Sequence, residues 1–216
     1  MKKKITAALL TLTLLSTGAL SGCVTADPAV TAGEEGKGIT VAISSDTGTM
    51  DPAGSIALTY LAYSVTALDE LLTFDEKGEI EYRAAESYEV NDDSTVWTFH
   101  LREDALWSDG SPVTSADFIN TITRALDPAS GSGYANYLFP IENAEAIYNG
   151  EADMTSLGVE TPDDSTLVFH LAEPCVYFLD LLRLPVYTPS CSQYADSVDS
   201  RRDRDPETSL SNAPYR

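Results

Sequence analysis

The chain has 216 residues, with 13 Lys and Arg against 34 Asp and Glu, a formal net charge of −21. A surface this acidic repels nucleic acid and anionic lipid headgroups, which excludes nucleic-acid binding as a function class. Hydrophobic residues make up 43% of the chain, an ordinary share, so the acidity does not signal disorder.

The first 22 residues read as an export signal rather than as part of the fold. Lys2, Lys3 and Lys4 form a basic start, and residues 5–15 an apolar run too short to span a bilayer. Leu20-Ser21-Gly22-Cys23 then looks like a bacterial lipobox, which implies cleavage before Cys23 and lipidation of its thiol. The competing reading is an ordinary secretory signal with an incidental cysteine; either way the chain is exported. From Cys23 onward 194 residues remain, with ten basic side chains against 34 acidic ones, a charge of −24. That length suits one large domain or two small ones. Residues 23–37, rich in Ala, Thr, Gly and Glu without periodicity, read as a flexible tether.

The folded part is expected to begin with a short strand at 38–44, with Ile39, Val41 and Ile43 on one face. A loop follows, with a turn at Asp51-Pro52. Leu58, Leu61, Val65, Leu68 and Leu72 then recur at helical spacing, and Tyr60, Tyr63, Ala67 and Leu71 line a second face. Residues 75–78 and 91–94 are turns, and 84–90 and 96–102 strands, so the chain to Arg102 reads as an antiparallel meander. In the second of these strands Trp97, Phe99 and Leu101 share one face. Ser108-Asp109-Gly110 is turn chemistry. Thr114 and Asp117 resemble a capping box, with Asp in place of Glu or Gln, opening a helix whose stripe is Phe118, Ile122 and Ala125.

Beyond Asp127-Pro128, residues 129–133 are small and flexible and lead into Tyr134, Tyr137 and Phe139. A short helix at 142–149 is closed by Gly150. Residues 161–164 read as a turn and 165–171 as a strand whose Phe169-His170-Leu171 echoes Phe99-His100-Leu101; the echo predicts two neighbouring strands of one small sheet. Residues 176–184 read as an apolar helix ended by Pro185, and 186–190 as extended.

Little in this order of residues carries chemistry. His100 and His170 share a relative strand face, but no carboxylate or cysteine stands at ligand spacing beside them, so both read as half-exposed strand positions rather than metal ligands. The doublets Asp92-Asp93 and Asp163-Asp164 lie in turn-forming clusters. No nucleophile elbow, zinc-protease motif, phosphate loop or dinucleotide fingerprint occurs, so neither enzyme, cofactor nor metal is expected. Cys175 and Cys191 could close a disulfide loop worth roughly 3 kcal/mol, or remain two thiols; both readings stay open. Tyr134, after the flexible stretch, can face a cleft, whereas Tyr137 reads as a packing residue.

The stretch Trp97-Thr-Phe-His-Leu-Arg-Glu-Asp-Ala-Leu-Trp-Ser-Asp-Gly-Ser-Pro-Val-Thr-Ser-Ala-Asp-Phe118 closely resembles the signature of the dipeptide/oligopeptide-binding proteins of ABC transporters, solute-binding protein family 5. The likeness continues in Leu-Asp-Glu-Leu-Leu at 68–72, Ala-Ala-Glu-Ser-Tyr at 84–88, Arg124-Ala-Leu-Asp-Pro128, Tyr134-Ala-Asn-Tyr-Leu138 and Thr166-Leu-Val-Phe-His-Leu-Ala-Glu-Pro174. It covers nearly all of residues 38–216, and departs from the family where Ala213 stands for the usual Gly.

The resemblance implies an α/β (α+β) periplasmic-binding-protein-like type II lobe with an inserted small mixed domain, the second lobe absent from this chain. Residues 38–72 and 173–216 would belong to lobe one, the latter truncated, and 73–172 to the inserted domain. It implies ligand contacts at Ile56, Ala57, Leu58, Thr59 and Tyr134, and an ABC permease as membrane partner. The protein is then an exported monomer, lipid-anchored to the outer face of the cell membrane or in the periplasm. It captures oligopeptides or dipeptides; nickel chelates, haem or a sugar remain open as ligands. The alternatives are a peptide-sensing surface lipoprotein without transport role, or a truncated product that does not bind.

Overall fold

The computed structural model describes residues 51–54, 67–192 and 210–213. All of them lie in one compact unit spanning Ile39–Arg216. The export signal with Cys23, the tether, the strand at 38–44 and residues 56–59 fall outside the described residues.

Ala67 is helical, but the residues after it are not, and Leu72, expected on the helix, instead opens a strand. Strand β1 (Leu72–Phe74) pairs antiparallel with β2 (Ile80–Tyr82). The turn between them is held by Asp75, whose Oδ1 accepts from the amides of Lys77 and Glu79 at 2.8 and 2.9 Å. Strands β3 (Ala85–Val90), β4 (Val96–Leu101), β5 (Val159–Asp163) and β6 (Thr166–His170) form a separate antiparallel sheet in the order β3-β4-β6-β5. The single meander expected up to Arg102 is therefore two sheets. The chain turns between them because Ala84 and Ala85 are buried, their amides bonded back to Glu70 and Leu71.

The echo between residues 99–101 and 169–171 places true neighbours together, since β4 and β6 pair with Trp97 opposite Phe169 and Phe99 opposite Leu167. The turn expected at 161–164 is shorter: Thr161 and Pro162 lie in β5, an edge strand where proline's missing N–H does no harm. Asp164-Ser165 makes the reversal, with Asp163 Oδ1 accepting the Ser165 amide at 2.9 Å.

The core grows from the apolar face of this sheet. The Phe99 and Phe169 rings meet edge-on at 5.9 Å, Phe169 and Phe178 at 5.4 Å, and Phe178 and Tyr187 at 6.1 Å. Edge-to-face contacts of this kind add about 0.5–1.5 kcal/mol each beyond burial. Helix α1 (Ser115–Leu126) contributes Phe118, Ile122, Ala125 and Leu126, all buried, as the spacing predicts. Helix α2 (Ala144–Tyr148) ends at Gly150, whose φ of 73° is the left-handed closure expected of it.

The segment after β6 departs most from expectation. The helix read over 176–184 is only α3 (Phe178–Leu181), because buried Cys175 and Phe178 pin the chain on either side and leave Val176 outside, 98% exposed. Residues 186–190 are not simply extended: Pro185–Tyr187 is a 3-10 turn with Val186 and Tyr187 in the core. Cys175 carries a free buried thiol, so no disulfide joins it to Cys191.

Two polar fastenings complete the fold. Asn212 clamps the chain just ahead of β1, its Oδ1 accepting from the Asp69 amide at 2.9 Å and its Nδ2 donating to the Asp69 carbonyl at 3.1 Å. Gly158 lies where β5 leaves the chain between α2 and β6: its amide donates to the Glu142 carbonyl at 2.9 Å, and its carbonyl accepts the His170 amide at 2.8 Å. A Cβ there would meet Glu142 Cβ at 2.7 Å and the His170 carbonyl oxygen at 2.8 Å.

Gly158→Ala is accordingly expected to destabilise the protein by about 1–3 kcal/mol, read as a lower urea midpoint at unchanged slope. An unchanged midpoint would show that the crossing relaxes freely. A second expectation concerns Asp69 and Glu70, whose carboxyls are raised above their usual range chiefly by burial. Folded protein then holds these protons more tightly than unfolded, so their contribution is present below the unfolded values and is lost as pH rises through the folded ones. Glu70→Gln should flatten the decline of stability above pH 4.5 in denaturation measured across pH; an unaltered slope would dismiss the burial effect.

Candidate functional site

The site begins with helix α1 and what its first turn must satisfy. Asp117 is buried, yet its carboxyl accepts from the Thr114 amide at 2.8 Å, from Trp107 Nε1 at 3.1 Å and from the Ser192 amide at 2.6 Å. The capping box expected from Thr114 and Asp117 is thus present, and the shorter Asp side chain reaches further partners than a cap requires. Asp109, by contrast, is turn chemistry, its Oδ1 accepting from the amide and hydroxyl of Ser111 at 2.9 and 2.6 Å. Those bonds hold its carboxyl below the usual range.

The far end of α1 gathers a second set of partners. Arg124 pairs with Asp51, and Ser190 Oγ accepts from Asn120 Nδ2 and Thr121 Oγ1, each at 2.9 Å. The loop 51–54 that leads toward residues 56–59 is therefore fastened to the same helix turn from which the chain runs on to Tyr134. Ala53 in that loop is buried and its amide donates to Asp51 Oδ1 at 3.1 Å.

Between α1 and Tyr134 the chain is more ordered than its small residues suggest. Pro128–Ser130 forms a 3-10 turn capped by the Asp127 carboxyl, which accepts the Ala129 amide at 2.8 Å. Gly131 takes a left-handed φ of 64°, and Ser132 is buried. Tyr134 then caps a further 3-10 turn, Ala135–Leu138, whose Ala135 and Leu138 are buried.

Tyr134 is half-buried, with its ring 5.7 Å from that of Tyr137 at an interplanar angle of 33°. Tyr137 was expected to be packing, but it is 40% exposed; the buried neighbours Ala135 and Leu138 take the inward positions of the turn. From below, the Tyr187 hydroxyl donates to the Tyr137 carbonyl at 2.9 Å. Burial pushes the Tyr187 phenol far above its ordinary range, with Cys175 and Tyr177 adding to the effect, so it serves as a neutral donor. Nothing local in the sequence marks Tyr187, Ser190 or Arg124 as supports of this surface, since their partners lie 50 to 73 residues away.

The histidines do not assemble. Antiparallel pairing sets His100 opposite Thr166 and His170 opposite Val96, four residues apart along the strands, about 14 Å. Glu160 Oε1 approaches His170 Nε2 to 3.1 Å without the alignment of a hydrogen bond. Among the described residues no group of three or more potential metal ligands occurs. An open groove of about 380 Å³ is lined by Phe139, Ile141, Asn143, Glu145, Asn149 and Glu151 among others, and includes neither Tyr134 nor Tyr137.

Relatives carry the same architecture. Periplasmic oligopeptide-binding protein OppA of Haemophilus influenzae is 46% identical over 112 residues, covering 51% of this chain and 21% of the relative. A dipeptide-binding protein of Lactococcus lactis is 30% identical over 183 residues, covering 84% and 33%. Among solved structures, Listeria monocytogenes OppA bound to peptide superposes with a TM-score of 0.74 at 28% identity, over 80% of this chain and 34% of that one. Haemophilus influenzae OppA in complex with RPPGFSPFR gives 0.72 at 34% identity, over 77% and 33%. The chain thus spans between about a fifth and a third of the length of these relatives. Residues 79–216 match the family profile described as bacterial extracellular solute-binding proteins, family 5 Middle. With its antiparallel sheets, its helix α1 and its superposition on solved peptide-binding proteins, the chain belongs to the bacterial extracellular solute-binding proteins of family 5.

Proposed function

We propose that this chain forms part of the first lobe of an extracytoplasmic solute-binding protein that captures oligopeptides or dipeptides for an ABC importer. The observation that carries the reading is the half-buried Tyr134, presented by a hydrogen-bonded turn at the end of α1 and joined through that helix to the loop leading toward residues 56–59. Ile56, Ala57, Leu58 and Thr59 would lie along the ligand backbone, with Tyr134 facing it from the side. Backbone pairing to an extended peptide reads its length and leaves its side chains free, which permits broad specificity.

Residues 38–72 and 173–216 would then belong to lobe one and residues 73–172 to the inserted domain. The opposing lobe supplies the remaining ligand contacts, and closure of two lobes on the ligand presents the loaded protein to a membrane permease. The protein acts as a monomer and performs no catalysis. Cys23, lipidated after signal cleavage, anchors it outside the cell membrane, with the tether 23–37 giving reach.

Residues 23–216 by themselves are expected to bind Ala-Ala-Ala more weakly than micromolar, with the Tyr134 ring and amide resonances shifting at millimolar peptide. Tight binding by calorimetry would refute the divided site, and an unmoved Tyr134 would refute the peptide reading. In a bacterial host the wild-type chain is expected in the detergent phase of a Triton X-114 partition, and Cys23→Ser in the aqueous phase. Equal partition of the two would remove the anchor.

A further inference from the structure

Tyr134 and Tyr137 stand three residues apart on a 3-10 turn, and in that helix side chains at i and i+3 eclipse one another. The two rings consequently lie together, 5.7 Å apart and 33° from parallel, one half-buried and the other 40% exposed. Tyr134 packs in part against the hydrophobic core, while Tyr137, between buried Ala135 and Leu138, turns its ring outward.

The backbone beneath them is held. The Tyr187 hydroxyl donates to the Tyr137 carbonyl at 2.9 Å, and Tyr187 is itself packed against Phe169 and Phe178 at ring distances of 6.1 Å. An exposed ring on a fixed backbone, backed by a second ring packed on the core, loses little freedom on meeting a ligand, which is what makes rigid aromatics good recognition surfaces.

From this geometry we infer that Tyr137 extends Tyr134 into a two-ring shelf that selects ligands carrying an aromatic side chain next to the backbone held by the rest of the site. The inference rests on the peptide-binding reading and deepens it: Tyr134 faces the ligand backbone from the side, and Tyr137 adds side-chain selectivity.

The test uses the chain from Cys23 to Arg216 with two NMR probes at millimolar concentration: Ala-Ala-Ala, which offers a backbone without a planar group, and N-acetyl-phenylalaninamide, which offers the ring. The expected result is that the ring probe shifts the Tyr137 ring resonances. Tyr137→Ala should weaken that probe by about two- to tenfold, the worth of one aromatic pair, and weaken Ala-Ala-Ala less. Tyr137→Leu keeps apolar bulk without a π-face and should behave like the alanine variant; it also serves if alanine disturbs the fold, which the amide spectrum reports. Full retention of the ring probe's affinity in the leucine variant overturns the shelf. A response to Ala-Ala-Ala without any to the ring probe overturns the shelf and leaves the peptide reading standing. The reverse leaves the shelf and removes the peptide reading, and silence from both probes removes both.

Discussion

A carboxyl group withdrawn from water at the first turn of a helix has to find donors, and the ones Asp117 finds come from three separate parts of the chain. Trp107 belongs to the loop after β4, Thr114 to the helix entry, and Ser192 to the segment beyond the core turn at Pro185–Tyr187. The Asp117 carbonyl also accepts the Ser190 amide at 3.0 Å. Leaving one such buried group unpaired is penalised by about 1–3 kcal/mol, so the arrangement is met as a set or not at all. Satisfying it sets the position of α1 against the sheet and brings Ser190 and Ser192 alongside the helix.

From that placement the rest follows in both directions. At its start, α1 is seated on the β5–β6 hairpin, with the Ser115 hydroxyl donating to the Asp163 carbonyl at 2.6 Å. At its end, Asn120, Thr121 and Arg124 hold Ser190 and Asp51, which lie 66 to 73 residues from them in sequence. The helix therefore works as a spacer: one end is fixed by a carboxyl, and the other presents the turn that carries the tyrosines. The aromatic stack of Phe99, Phe169, Phe178 and Tyr187 supplies the apolar support and ends in the hydroxyl that fixes the Tyr137 carbonyl. Core and surface are thus linked by one side chain, Tyr187, apolar along its ring and polar at its tip.

Relatives that match this chain are more than twice its length, so in the proposed reading the surface around Tyr134 is one side of a larger arrangement. This division bears on the energetics of recognition. In the proposed reading, a lobe that contributes a pinned backbone and an exposed ring would lower the ordering penalty of a ligand, while a closing lobe would determine how much of that ligand leaves water. Affinity and selectivity can then reside on different parts of the protein.

Local patterning was enough for the elements whose signals are short-range. The alternation Trp97, Phe99, Leu101, the stripe Phe118, Ile122, Ala125, the cap at Thr114 and the closing Gly150 all appear where the order of residues puts them. The order of residues also carries the family likeness through the stretch from Trp97 to Phe118, and that stretch proves to be framework: strand, turn and cap. Tertiary structure decided what depends on distant partners. It moved Leu72 from helix to strand and Pro162 from turn to edge strand, and it divided the expected meander into two sheets. It shortened the apolar run after Glu173 to one turn, because periodicity cannot tell which of Cys175, Val176 and Phe178 the core will accept. It also turned Tyr137 outward and set Tyr187 beneath it, since exposure depends on packing and the hydroxyl that holds the Tyr137 carbonyl lies fifty residues further along the chain.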